Sequence, residues 1–388
     1  MRVGATIFNQ NYTDWDRYEA EEQGKSVPAH PKRSDREIFN EELNIARIAD
    51  ETGFDSVWTI EHHFTPYGMT NNPTQILSYV AGRTSRIDVG TMVLVIPWHE
   101  PLKLAENLAV LDNLLNGRKI HIGTGRGFAA REFNTLGIPY ETSRDRMIEC
   151  LEVVRIALTN EFFSFEGEFF KIPRTTIRPR PLSQDLTRNL LMTWASPESL
   201  EMAAHSGAAP LFTNYRGWES VRDNLRTFDK VRASHGWPVS PSAIATTVYV
   251  DRDGARAHEV GEQYWRKTSG MTLWHYDRLA SEYFMPDATK EEREAAVNAG
   301  YESQASNGIF GSPEEVIEQI RELQELANVG HLITLHSFGD MPFDLVEDSM
   351  KLFAETVLPT IKTFGSGEPK AIPYEVVRET REAEAAVG

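Results

Sequence analysis

Ile87-Asp-Val-Gly-Thr-Met-Val-Leu-Val-Ile96 is a β-branched, apolar run, and Leu102-Lys-Leu-Ala-Glu-Asn-Leu-Ala-Val-Leu-Asp-Asn-Leu-Leu115 follows it at helical spacing. Leu104, Leu108, Leu111 and Leu115 form one apolar helix face, and Lys119-Ile-His-Ile-Gly123 then starts a second short strand. A strand, a helical crossover and a strand make a parallel pair with a right-handed connection. Working outward, the same alternation recurs at Arg2 to Phe8, Ser56 to Ile60, Leu190 to Trp194, Ala209 to Thr213, Ala243 to Val250 and His331 to Leu335. Amphipathic helices lie between, such as Glu37 to Thr52 with Ile38, Leu43, Ile45, Ile48 and Ala49 inward. Eight strand candidates of this kind predict an α/β protein closed into a (β/α)₈ TIM barrel, with a doubly wound open sheet as the alternative.

Three segments interrupt the alternation, and a barrel places such insertions in the loops of its C-terminal face. Residues 11–36 are polar and charged. Residues 161–181 contain Phe162-Phe-Ser-Phe-Glu-Gly-Glu-Phe-Phe170, a hairpin signature turning at Gly167. Residues 276–309 are long and polar and read as a mobile lid. The barrel domain is expected over residues 1–363, and the Glu-rich stretch 364–388 reads as a tail packed loosely or not at all.

A formal net charge of -17 argues against nucleic acid or an anionic membrane surface as partner, because both reward a basic face. Any anionic ligand must then be held by a few well-placed arginines. Cys150 is the only cysteine, which excludes an intramolecular disulfide and a thiolate metal cluster. Neither a secretory leader nor an apolar run of roughly 20 residues is present, so the expected location is the cytoplasm.

Candidate chemistry gathers at predicted strand ends. Ser196-Pro-Glu-Ser199 follows the strand ending at Trp194 as an N-cap with Pro at the first helical position. Such a terminus leaves backbone N–H groups free for a phosphate, though simple capping explains the pattern too. Gly123-Thr-Gly-Arg-Gly-Phe128 places Arg126 in a Gly-rich turn, where it can fork onto a phosphate or remain solvated. The G-x-G-x-x-G dinucleotide spacing is absent. Arg144 is a second anion candidate, with a surface salt bridge as its plainer role. Glu61-His62-His63-Phe64 ends the second strand. Consecutive strand residues point to opposite faces, so His62 and His63 do not share one ion, and no other spacing completes a metal ligand set. One of them suits a polar role at a reaction centre, against the alternative of a hydrogen-bonded core histidine. Trp58 reads as core, while Phe8, Trp98, Trp194 and Phe212 are placed to wall an apolar cavity.

At Glu61-His-His-Phe-Thr-Pro-Tyr-Gly-Met-Thr-Asn-Asn-Pro73 the chain resembles the bacterial luciferase family of flavin-dependent monooxygenases. The resemblance continues in order through Gly82-Arg-Thr84, Val89 to Pro97, Gly123 to Phe128, Glu132-Phe-Asn-Thr-Leu-Gly137, Thr142-Ser-Arg144, Ser196 to Ser199 and Met350-Lys-Leu-Phe353. It implies a flavin mononucleotide (FMN) site at the barrel mouth. His62 matches the family's catalytic histidine, Arg126 and Arg144 its phosphate-binding arginines, and Ser196 and Ser199 its hydroxyl phosphate ligands. Met92 and Val93 match a cis peptide under the flavin ring. Trp194 then falls to the cofactor, and Phe8, Trp98 and Phe212 to the substrate cavity.

The activity implied is two-component: a separate flavin reductase supplies reduced FMN, O2 adds at ring position C4a, and a small hydrophobic substrate such as a ketone, aldehyde or terpene is oxygenated. A homodimer is implied as well. Ala195 stands where the luciferase catalytic subunit has a glutamate, and Gly125 where it has a reactive cysteine, so the resemblance is to a relative of luciferase rather than a light emitter. Rival readings are a deazaflavin-dependent hydride transfer on the same fold, a non-catalytic flavin-binding partner subunit, and a metal-dependent barrel hydrolase.

Overall fold

The computed structural model describes residues 1–194, 196–213, 218–276, 287–305 and 307–387. In chain order it contains β1 (Arg2–Ile7), α1 (Tyr12–Glu22), α2 (Asp35–Thr52), β2 (Ser56–Thr59), α3 (Pro73–Arg83), β3 (Asp88–Val95), α4 (Pro101–Leu115), β4 (Ile120–Gly125), α5 (Ala130–Leu136) and α6 (Ser143–Thr159). There follow β5 (Phe163–Glu166), β6 (Lys171–Thr175), β7 (Leu190–Met192), α7 (Pro197–His205), β8 (Ala209–Thr213), α8 (Trp218–Ser234), β9 (Ser242–Val250), α9 (Gly254–His275) and α10 (Lys290–Ala305). The chain ends through β10 (Ile309–Gly311), α11 (Pro313–Ala327), β11 (Val329–Leu335), α12 (Phe343–Leu352), α13 (Leu358–Ile361) and α14 (Tyr374–Val387).

Strands β1, β2, β3, β4, β7, β8, β9 and β11 pair in parallel in that order, and β11 returns to β1, so the sheet closes as the expected eight-stranded barrel. Its interior is filled rather than hollow. Trp58 is fully buried across the axis, and Gly4 and Gly90 make room for it: a Cβ at Gly90 would lie 2.4 Å from the indole. The N-terminal end is plugged by polar groups. Arg2 donates to Asp88 at 2.5 Å and to Glu368 at 2.6 Å, while Ser56 Oγ receives Trp58 Nε1 at 2.8 Å and contacts His331 Nε2 at 2.8 Å. With this end closed, ligand chemistry is confined to the opposite mouth.

Residues 11–36 and the described part of 276–309 do lie at that mouth, but 161–181 does not. It joins the end of α6 to the start of β7, a helix-to-strand connection that a parallel barrel places at its N-terminal end, and Arg180 donates there to the Ala157 and Leu158 carbonyls. The 161–181 segment forms the antiparallel β5–β6 hairpin. The first insertion is ordered by α1, with Tyr12 and Trp15 buried. Two further expectations change. Much of 276–309 is not an irregular loop but α10 followed by β10, which adds to β9; residues 277–286 and 306 lie outside the described residues. The supposed loose tail is packed: Ile372 and Val377 close over Trp237 and Gly207, and Glu368 is the ion-pair partner of Arg2. Its apolar residues are few, but Ile372 and Val377 fall on one contact, which a periodicity count passes over. Among the described residues, no helix is long and apolar enough to cross a membrane.

Candidate active site

A cavity of about 650 Å³ opens at the C-terminal ends of the strands. Phe8, His62, Met92, Val93, Trp98, Arg126, Trp194, Ser196, Ser199 and Phe212, all singled out from the sequence, line it. Arg144 does not. It sits at the start of α6, near enough to α7 that its charge adds a minor share to the lowering of the Glu198 carboxyl, which the Ser196 hydroxyl chiefly causes. Its Nε is buried without a hydrogen-bond partner. Ala195 lies outside the described residues.

One end of the cavity gathers groups that suit an anion. Ser196 caps α7, its hydroxyl accepting from Ser199 N, while Ser199 Oγ accepts from Ser196 N at 2.9 Å; Pro197 opens the helix. The helix dipole and remaining N–H groups therefore face a site shared with two hydroxyls. Arg126 reaches the cavity from the Gly-rich turn, with its guanidinium 4.0 Å from the Tyr140 ring centroid. The middle is apolar. The Met92–Val93 peptide is cis, as the resemblance implied, and Trp194 stacks on Phe228 at 4.7 Å with its Nε1 buried and unpartnered.

The other end holds a polar network in which only His62 was singled out for a role from the sequence. His62 Nδ1 lies 3.2 Å from Glu132 Oε1 and 3.1 Å from His275 Nε2, and His62 Nε2 lies 3.2 Å from the Tyr276 hydroxyl. Thr65 Oγ1 meets His275 Nδ1 at 2.8 Å, and His63 N donates to Glu132 Oε1 at 2.6 Å. Burial alone would raise the Glu132 carboxyl, but His62 and His275 outweigh it and hold it down at about 2. Burial pushes His275 down to about 4, so its imidazole is neutral at pH 7. Tyr67 stacks on His275 at 4.4 Å and Phe128 on Tyr276 at 4.2 Å, fixing both rings. Glu132 follows the Gly-rich turn and was legible only as part of a family motif; no local pattern marks His275 at the end of α9.

His63 turns away, although both histidines lie just past the end of β2. It contacts Trp98 edge-on and lies 3.4 Å from the buried Glu61, whose other oxygen takes Val95 N at 2.7 Å and His99 Nε2 at 3.0 Å. His62 is thus the histidine that faces the cavity.

Known proteins are similar to this chain in sequence and fold. The family model described as luciferase-like monooxygenase matches residues 20–328. The alkanal monooxygenase alpha chain of Photorhabdus luminescens is 25% identical over 348 residues, covering 86% of this chain and 94% of that protein. The monooxygenase RslO1 of Streptomyces bottropensis superposes with a TM-score of 0.72 at 26% identity, covering 93% of this chain and 100% of the other. The oxygenating constituent of 3,6-diketocamphane monooxygenase of Pseudomonas putida, solved with FMN, shares the fold with a TM-score of 0.70 at 20% identity over 92% of this chain and 98% of its own. This chain belongs to the luciferase-like monooxygenase family.

Proposed function

We propose that the protein binds reduced FMN delivered by a separate reductase and uses O2 to oxygenate a small hydrophobic substrate. One observation carries the reading: a single cavity joins a capped helix terminus and an arginine at one end to a buried histidine network at the other, with an apolar stretch between. The residues fit the cofactor. Ser196, Ser199 and Arg126 would hold its phosphate, with the unpartnered Arg144 Nε close to the same helix start. The Met92–Val93 backbone and Trp194 would bed its ring, leaving the walls of Phe8, Trp98 and Phe212 to an apolar substrate.

When bound, reduced flavin supplies the electrons that activate O2. The chain's own residues exclude water and manage protons. Aromatic walls keep the cavity dry, which limits wasteful peroxide release. His62 holds or passes a proton at Nε2, where Tyr276 is its partner, while the ionised Glu132 fixes the ring from the far side. Anaerobic titration of the isolated chain with reduced FMN tests the reading, and saturation in the micromolar range is expected. Absent binding would overturn the reading, binding without turnover would favour the non-catalytic subunit, and preferential binding of a reduced deazaflavin would favour hydride transfer. The expected homodimer is part of the same proposal, to be checked by sedimentation.

A further inference from the structure

The fold brings together three donors that no sequence spacing connects: His62 after β2, Glu132 in α5 and His275 at the end of α9. We infer that they form a site for one divalent ion of the zinc class. Nδ1 of His62 lies 3.1 Å from Nε2 of His275 and 3.2 Å from Oε1 of Glu132, and His275 Nε2 lies 3.6 Å from Glu132 Oε2. Tetrahedral zinc with bonds of about 2.0–2.1 Å has ligand atoms about 3.3 Å apart; the two imidazole nitrogens stand near that spacing, and the carboxylate, which meets His62 through Oε1 and His275 through Oε2, offers one oxygen within 4.8 Å of both.

The surroundings serve ligands as well as hydrogen bonds. A metal-bound imidazole needs a partner for its outer nitrogen. Tyr276 stands 3.2 Å from the outer nitrogen of His62 and Thr65 2.8 Å from that of His275. Glu132 Oε1 is oriented by His63 N, while Oε2 is buried without a hydrogen-bond partner and keeps its lone pairs for an ion. His62 and Glu132 both line the cavity, so the fourth position opens onto it. Imidazole nitrogen favours zinc, cobalt or nickel over magnesium or calcium, which take oxygen ligands. Resting on the function proposed above, an ion held there withdraws His62 from the reaction, and zinc becomes a reversible inhibitor.

Titration of the chelator-treated full-length protein with Co(II) tests the site. Saturation at one equivalent with the ligand-field absorption of four-coordinate cobalt, reversed by Zn(II), is expected. His275→Ala and Glu132→Gln should weaken binding at least tenfold, and Thr65→Val, which keeps every ligand, about tenfold. A binding curve unaltered by Thr65→Val and by a folded His275→Ala, or no visible cobalt spectrum, would overturn the inference. Cobalt binding upholds the site whether or not the enzyme turns over; zinc bound at these residues without inhibition would instead remove His62 from the reaction.

Discussion

His62 meets the cavity through one ring nitrogen and the buried carboxylate of Glu132 through the other, so its orientation is set independently of any ligand. His62→Ala should therefore leave reduced-FMN affinity within a few-fold while uncoupling oxygen use from product. A loss of about tenfold or more in product per O2 consumed is expected, at the lower end of or below the 10²–10⁴ range for general acid–base groups. Unchanged coupling would take His62 out of the mechanism. Arg126→Ala acts at the other end. Removing a charge-assisted contact, worth about 1.5–3 kcal/mol, should raise the dissociation constant for reduced FMN by tenfold or more and leave that for riboflavin nearly unaltered. Equal weakening of both flavins would show that Arg126 acts through Tyr140 packing instead. Both residues were visible in the sequence as strand-end or Gly-turn groups. His275 and Tyr276 were not, because their role comes only from where the long α9 ends.

Among the elements, the barrel strands repeat a principle seen at Trp58. The indole fills the centre because Gly4 and Gly90 leave it space. Gly90→Ala forces a methyl to within 2.4 Å of the ring and should cost about 1–3 kcal/mol by overpacking, read from the denaturant midpoint. A variant as stable as the parent would mean that the indole has another place to go. The C-terminal helix α14 tests the packed tail. Deleting residues 365–388 uncovers Trp237 and Gly207 and removes the Glu368 partner of Arg2, so a lower melting temperature is expected with the barrel still folded. No change in melting would restore the loose-tail reading. Helix periodicity did identify α2 and α4, because each buries one continuous stripe. It passed over α10, whose sequence has no strong apolar face, and over Glu42 in α2, a buried acid that accepts Phe8 N at 2.8 Å.

Across the whole molecule, the closed N-terminal end makes stability depend on pH. His331 is pushed well below 6.5 by burial first and then by His121 and Arg2, and His121 is lowered chiefly by burial. Asp88, also in this cluster, is held at about 2 despite burial, with His121, Lys119 N and Arg2 as the causes. Folding thus favours neutral histidines: their stabilisation is complete above the unfolded value of about 6.5 and is lost as pH falls below it, by up to about 1.4 kcal/mol per pH unit for each histidine. The Asp88 contribution is present above its ordinary 3.8 and is lost only between there and about 2, so between pH 6.5 and 4.5 the loss comes from the buried neutral histidines, His275 and His336 adding to the two at the floor, and not from Asp88. Chemical denaturation across that interval should show falling stability, and a flat profile would contradict the buried, neutral assignment. The alternation of strands and helices was legible in the sequence because each element buries its own face at its own period. The anion end was legible because capping is local chemistry among four consecutive residues. The histidine–glutamate network, the sealing of the barrel floor and the docking of the tail were decided only by tertiary structure, since each joins residues far apart in the chain whose meeting depends on closure of the barrel.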